Sequence, residues 1–348
     1  MTRARIKNIF FILGIVAVVI MLLTFEVSFV ELWHYICHAG YWLVAIFALW
    51  GILYLMNAWA WQVIIRGSGP CPVSFLYLLR LTVSGFALNY TTPIGLLGGE
   101  PYKVLEMTPH IGVQRATSSV VLFAMMHVFA HFCFWSSSIL LYLLLALFGI
   151  LPMNVGTALV LFFMTVFCSL GIYLFSRGYR YGLVRRLFII ISYIPGLRGW
   201  GRRMLKEHHD DFVRIDRQIA ELHRQERFTF YKSLLIEYVG RVCQSFEILF
   251  MLLLFDHSGN FLLLFSYSFL ILSFTSLFAN LLGFLPLQLG GREGGFAISV
   301  SALGMTSALG MFISIICRVR ELFWAIIGLA LMKYRPHNSP PYRPHNSF

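Results

Sequence analysis

The chain has 348 residues, of which 59% are hydrophobic and only 12% charged, too little polar surface to cover a soluble globule. The composition is that of an integral membrane protein. Its 27 Lys and Arg against 15 Asp and Glu give a formal charge of +12, an excess that in a membrane protein marks the cytoplasmic side and gives no ground for a nucleic-acid partner. The six cysteines are scattered without CxxC pairing, the pattern of neither a disulfide framework nor a zinc site.

Taken in order, Arg3, Arg5 and Lys7 precede an apolar run over residues 9–25 that has no cleavage signature after it, so a retained first span with the N-terminus inside is expected. Residues 26–40 carry Glu26 and Glu31 but no Lys or Arg and read as an external loop; residues 41–65 return to the cytoplasm at Arg66. Trp33, Trp42, Trp59 and Trp61 fall near the ends of these spans, as interfacial anchors or ordinary core aromatics. Residues 73–90 are apolar but interrupted by Arg80, Ser84, Gly85 and Asn89. A full span needs about 20 apolar residues. The expectation is therefore a hairpin that enters from the cytoplasm, breaks at 91–99 and returns through 100–115.

Residues 118–150 lead out and 157–175 lead back to a basic segment, 177–232, with thirteen Lys and Arg against six acids. This is the expected main cytoplasmic loop. Within it Phe212, Ile215, Ile219 and Leu222 recur at helical spacing among charges, so 202–227 reads as an amphipathic helix, lying on anionic lipid or packed on the span ends. Residues 234–255 cross outward and 256–260 make an external turn. A second broken hairpin follows over 261–305, and 308–332 cross back to Lys333, leaving the C-terminus inside. The tail repeats Tyr-Arg-Pro-His-Asn-Ser from 334 and is expected to be disordered.

The expected fold is thus an all-α polytopic membrane protein, with about six transmembrane helices and two re-entrant broken hairpins in an inverted repeat; eight full spans are the alternative. The membrane domain covers 1–333, in halves of about 41–176 and 232–333 separated by the cytoplasmic segment 177–231, with a tail at 334–348.

The two breaks resemble each other. Pro93 precedes Gly98, Gly99 and Glu100, and Pro286 precedes Gly290, Gly291, Arg292 and Glu293. Each Pro stands seven residues before its Glu. Irregular backbone at membrane depth is tolerated only where it is buried in protein or lines a wet cavity, and paired breaks in corresponding halves point to a binding site. Glycine amides feeding a helix N-terminus can meet an anion, or the pairs can simply let helices approach closely. No nucleotide-loop pattern is present.

Ionisable residues inside the membrane are costly and are functional candidates by default. They include Arg80, Glu100, Lys103, Glu237, Arg241, Glu247, Arg292, Glu293, Arg318, Arg320 and Glu321. Glu237 and Arg241, four apart, are expected to neutralise each other on one helix face. His127 and His131 share that spacing but enclose Val128, Phe129 and Ala130 rather than the Glu a zinc protease needs, so they read as core or cavity-lining residues.

The segment from Asn89 through Pro93 to Lys103, the run from Pro286 to Gly294, and Arg318 together resemble the flippase-like integral membrane domain. That domain is found at the N-terminus of lysylphosphatidylglycerol synthases and in stand-alone bacterial proteins. The likeness spans most of residues 5–333, with a shortened second motif in which Arg292 and Glu293 follow the Gly pair directly. It implies a protein of the bacterial cytoplasmic membrane tied to translocation of lipids or lipid-linked intermediates. The synthases carry a separate catalytic domain after this region and the chain stops at Phe348, so lysyl transfer is not expected.

The leading expectation is a transporter of an anionic lipid or polyprenyl-phosphate-linked molecule. Its substrate would be bound by Asn89, Gly98, Gly99, Glu100, Lys103, Gly290, Gly291, Arg292, Glu293 and Arg318, with no cofactor and no metal. Glu100 and Glu293 are candidate proton carriers. A membrane transferase acting on a polyprenyl-linked substrate with one of these Glu as base, or a non-catalytic partner of a lipid-modifying synthase, are the competing classes.

Overall fold

The computed structural model describes residues 29–91, 98–181, 227–255, 260–281 and 291–333, with isolated positions between 189 and 213. The expected span at 9–25, the breaks at 92–97 and 282–290 (with Gly290), most of the amphipathic segment, the turn at 256–259 and the tail lie outside these residues.

The described residues form nine α-helices and no strand. They are α1 (Phe29–Gly67), α2 (Phe75–Thr91), α3 (Gly99–Ile111), α4 (Val113–Leu147), α5 (Val155–Tyr181), α6 (Arg227–Phe255), α7 (Phe261–Leu281), α8 (Gly291–Ala302) and α9 (Ser307–Lys333). Five are long and apolar enough to cross a bilayer: α1 over Gly40–Gly67, α4, α5 over Val155–Arg177, α6 over Phe228–Phe255, and α7. This is a multi-pass membrane protein. At 27 residues, α9 is about 40 Å long and has the reach to cross, but it carries Arg318, Arg320 and Glu321. By contrast α3 and α8, at 13 and 12 residues, extend only about 18–20 Å against a hydrocarbon core of about 30 Å. Helix α7 has 21 residues, which is long enough for a full crossing as well as for one arm of a hairpin.

One expectation is corrected. The loop expected through residue 40 is already helical from Phe29, and α1 breaks only at Gly40, where φ is 52°. The stretch has neither Gly nor Pro before that position, so nothing in it stops a helix sooner. Elsewhere the helix ends differ from the expected bounds by a few residues in either direction: α4 runs Val113–Leu147 where 118–150 was expected, and α2 Phe75–Thr91 where 73–90 was.

The packing relates one half of the chain to the other. Helices α1 and α6 pack on each other. Around them α2 packs on α3 and α3 on α4, as α7 packs on α8 and α8 on α9. Likewise α1 meets α2 as α6 meets α7, α4 meets α6 as α9 meets α1, and α4 meets α7 as α9 meets α2. The turns repeat too: Gly112 after α3 has φ 80° and Gly304 after α8 has φ 79°, a region that side chains other than Gly rarely adopt. The α2–α9 contact is close because small residues face each other there, with Ser84 Oγ donating to Gly328 O at 2.9 Å. On the outside, α5 holds to α4 through the Phe129–Phe175 stack and turns Phe162, Phe163 and Leu170 outward, as a lipid-facing helix does.

Candidate functional site: a charged network inside the helix bundle

The first break ends where α3 begins. Helix N-termini leave amides unsatisfied, and here Asn89 of α2 supplies the missing acceptor, its Oδ1 taking the Gly99 N–H at 2.8 Å. The same side chain donates Nδ2 to Glu100 at 3.3 Å. A Cβ on Gly99 would stand 2.1 Å from Gly85 O, so Gly99 is where α2 and α3 touch backbone to backbone. Its amide is occupied by Asn89 rather than turned to a ligand.

Glu100 pairs with Lys103 at 3.1 Å, and the Lys103 side chain is wholly buried. Its ammonium sits 4.9, 5.2 and 5.8 Å from the rings of Phe123, Phe86 and Trp61. Three ring faces and one carboxylate take the place of water around this cation. One turn on, Glu106 pairs with Arg80 of α2 at 3.5 Å and accepts from the Tyr77 hydroxyl.

Phe86 and Phe123 also flank His127 of α4, at ring distances of 6.0 and 6.4 Å. His127 Nδ1 lies 2.8 Å from Glu237 Oε2 of α6, and its Nε2 meets Arg241 Nη2. Arg241 also donates to Gln244 at 3.0 Å. The expected Glu237–Arg241 neutralisation therefore runs through an imidazole 110 positions away from Glu237 in sequence.

The second half carries a ladder of Arg and Glu. Glu293, in the first turn of α8, binds Arg318 of α9 through Nη2 at 2.8 Å and Nε at 3.1 Å. Arg318 reaches on to Glu321 at 3.5 Å, and Arg292 binds the other oxygen of Glu321. Glu321 Oε1 in turn lies 3.6 Å from Arg320. Arg320, fully buried, forks onto Glu247 of α6 at 2.9 and 3.3 Å and lies 3.7 Å over the Trp50 ring. Trp50 Nε1 donates to the same carboxylate at 3.0 Å. Tyr90, next to Asn89, is within electrostatic reach of Arg241, Arg292 and Arg320.

Of the expected site residues, Asn89, Gly98, Gly99, Glu100 and Lys103 gather at the start of α3, and Arg292, Glu293 and Arg318 gather between α8 and α9. Gly291 opens α8. Unforeseen as members are Trp50, Tyr90, His127 and Gln244. The histidines were visible as a pair four apart; Trp50 gave no signal, because its partner lies 197 residues away.

Three clusters, Glu100 with Lys103, Glu237 with His127 and Arg241, and Glu247, Arg292, Glu293, Arg318, Arg320 and Glu321, together hold as many carboxylates as Lys and Arg. Isolated charges in an apolar medium are expensive and mutual pairing offsets that cost. Exposure is uneven: the side chain of Glu293 is 41% exposed, while those of Glu321 and Glu247 are 3% and 1%. The bundle and its interior charges define a polytopic helical membrane protein built around a polar centre. The chain belongs to the family described as the lysylphosphatidylglycerol synthase TM region, which matches residues 9–328. No curated protein and no solved structure matches it.

Proposed function

We propose that this protein moves an anionic, phosphate-bearing lipid or lipid-linked intermediate between the leaflets of a bacterial cytoplasmic membrane, and that Arg318 receives the headgroup. The observation that carries this reading is the Glu293–Arg318 pair. Arg318 spends two donors on one oxygen of the network's most open carboxylate, and a guanidinium offers the same fork to phosphate as to carboxylate. In a charge-balanced network a headgroup must exchange with a resident carboxylate rather than fill a vacancy, and Glu293 is the one that water can take up most readily. Arg292, bound to the buried Glu321, holds the ladder in place. No step needs a nucleotide or a metal.

The inverted repeat supports this reading, with two re-entrant hairpins at α2–α3 and α7–α8. In its favour are the shortness of α3 and α8, the matching Gly turns and the exchange-symmetric packing. Eight full spans remain the alternative, favoured by the length of α7. The basic segment 177–232 and both termini then face the cytoplasm.

Sealed phosphatidylcholine vesicles bearing a trace of fluorescent phosphatidylglycerol test the reading. Wild-type protein should expose the inner-leaflet probe to an external quencher, and Arg318→Ala should not. Product formed from lipid substrate in detergent, where no leaflets exist, with no probe movement in vesicles, would instead establish an enzyme.

A further inference from the structure

Toward the end of α1 and the start of α6 both helices turn apolar side chains outward. On α1 these are Ile52, Leu55 and Trp59, and on α6 they are Phe228, Tyr231, Leu235 and Val239. Steps of three and four residues put each set on one stripe of its helix, and on a membrane-spanning helix an outward apolar stripe meets lipid. One charge interrupts them. Lys232, on the same stripe of α6, is partly exposed, and its ammonium lies 5.6 Å from the Trp59 ring and 5.7 Å from the Phe228 ring.

Lys103 shows what this arrangement lacks. Its ammonium is also enclosed by rings, but Glu100 stands 3.1 Å away as counter-ion. Among the described residues no carboxylate pairs with Lys232. Ring faces offset part of the cost of a cation at the membrane surface, yet they carry no net charge. The missing anion must therefore come from outside the fold.

Depth identifies its source. The apolar stretch of α6 over Phe228–Phe255 has 28 residues, about 42 Å of helix against a hydrocarbon core of about 30 Å. Centred in the bilayer, it leaves about 6 Å at each end, and Lys232 stands four residues past Phe228, about 6 Å along the axis. The ammonium thus falls where hydrocarbon gives way to lipid phosphates. Arg66, exposed and two turns beyond Trp59 on the same face of α1, adds a second cation farther out. A zwitterionic phosphatidylcholine brings its own ammonium along with its phosphate, so two unopposed cations favour a lipid of net negative charge.

We propose that the lipid-facing seam between the end of α1 and the start of α6 holds a resident anionic phospholipid, its phosphate on Lys232 and its acyl chains along the stripes of Ile52, Leu55, Leu235 and Val239. This site shares no residue with the one at Arg318 and does not depend on lipid being moved between leaflets. Trp59 and Phe228 fix the ammonium in place, so the phosphate meets a cation already ordered.

The test reconstitutes the full chain in phosphatidylcholine bilayers that contain, at the same low mole fraction, phosphatidylglycerol or phosphatidylcholine brominated on the acyl chains. Bromine quenches the tryptophans it touches. The chain has eight Trp, so the Trp59 signal is the part of the fluorescence lost in Trp59→Phe, which keeps a ring beside the ammonium. Brominated phosphatidylglycerol should occupy the site roughly fivefold more readily than brominated phosphatidylcholine, the factor expected for one basic side chain at an anionic lipid. Lys232→Gln should abolish that preference, and Lys232→Arg, which restores the charge, should keep it. Equal quenching by the two lipids in wild-type protein would overturn the proposal and leave Lys232 as an ordinary interfacial anchor. A preference that survives Lys232→Gln would overturn it by placing the anion on other groups. A Trp59 signal that neither lipid quenches would overturn it by showing the seam covered by another segment of this chain or by a second copy.

Discussion

Between α3 and α4 the chain turns at Gly112, and between α8 and α9 it turns at Gly304, with nearly the same φ and the same neighbours in packing. What the short helix before each turn carries at its start differs. In the first half a single buried Lys is enclosed by three aromatic rings and one Glu, next to two histidines. In the second, three Arg interlock with three Glu. Arg and Glu in such pairs keep their charge across physiological pH, whereas an imidazole does not. The two regions therefore differ in their electrostatics: an interlocked ladder of Arg and Glu in one, and in the other a lone ammonium enclosed by rings beside two imidazoles.

That contrast is broken most severely by Arg320→Ala, which leaves Glu247 buried and uncompensated. Loss of one partner of a buried pair costs about 3–5 kcal/mol, so unfolding of the variant in detergent should shift by that amount. Glu247→Gln combined with Arg320→Met should lose much less. If Arg320→Ala unfolds like wild type, the ladder is not the structural half. Arg318→Ala should separate stability from function. Its partner Glu293 can turn to water and its buried partner Glu321 keeps Arg292 and Arg320, so unfolding should change little, while loss of a charge-assisted contact of about 1.5–3 kcal/mol should weaken headgroup binding roughly tenfold to a hundredfold. A variant that binds short-chain phosphatidylglycerol as wild type does would place the headgroup elsewhere. The smallest effects compare the glycines of the two motifs. Gly99→Ala would press a methyl group into Gly85 O, an overpacking that costs about 1–3 kcal/mol. Gly294→Ala meets nothing within 4 Å and should stabilise α8 by about 0.5–1 kcal/mol. Equal effects of the two would show that the α2–α3 contact is no closer than its counterpart.

Helices were legible where hydropathy, a local signal, is strong: the residues from 41 to 65 and from 157 to 175 fall inside helices as expected. The ion pairs were legible only in part. Arg318 and Glu321 lie one turn apart on α9, and Glu100 and Lys103 one turn apart on α3, so spacing brought each of these together. Glu237 and Arg241 have the same kind of spacing, yet His127 from another helix stands between them. Lys103 read as a cation in need of an anion; its ring enclosure depends on α1, α2 and α4 converging, which no local pattern records. The glycines were ambiguous between anion cradle and close packing; at Gly99 the amide is taken by Asn89 and the backbone lies close against Gly85.

The central claim is that the paired halves carry an anionic headgroup across the membrane. Its most direct test is the rate at which fluorescent phosphatidylglycerol in sealed vesicles becomes accessible to an external quencher, for wild-type protein against protein-free vesicles and Arg318→Ala. The account predicts rapid access to the inner-leaflet probe with wild type alone. Access no faster with wild-type protein than in protein-free vesicles, in preparations whose protein is folded and inserted, would contradict it.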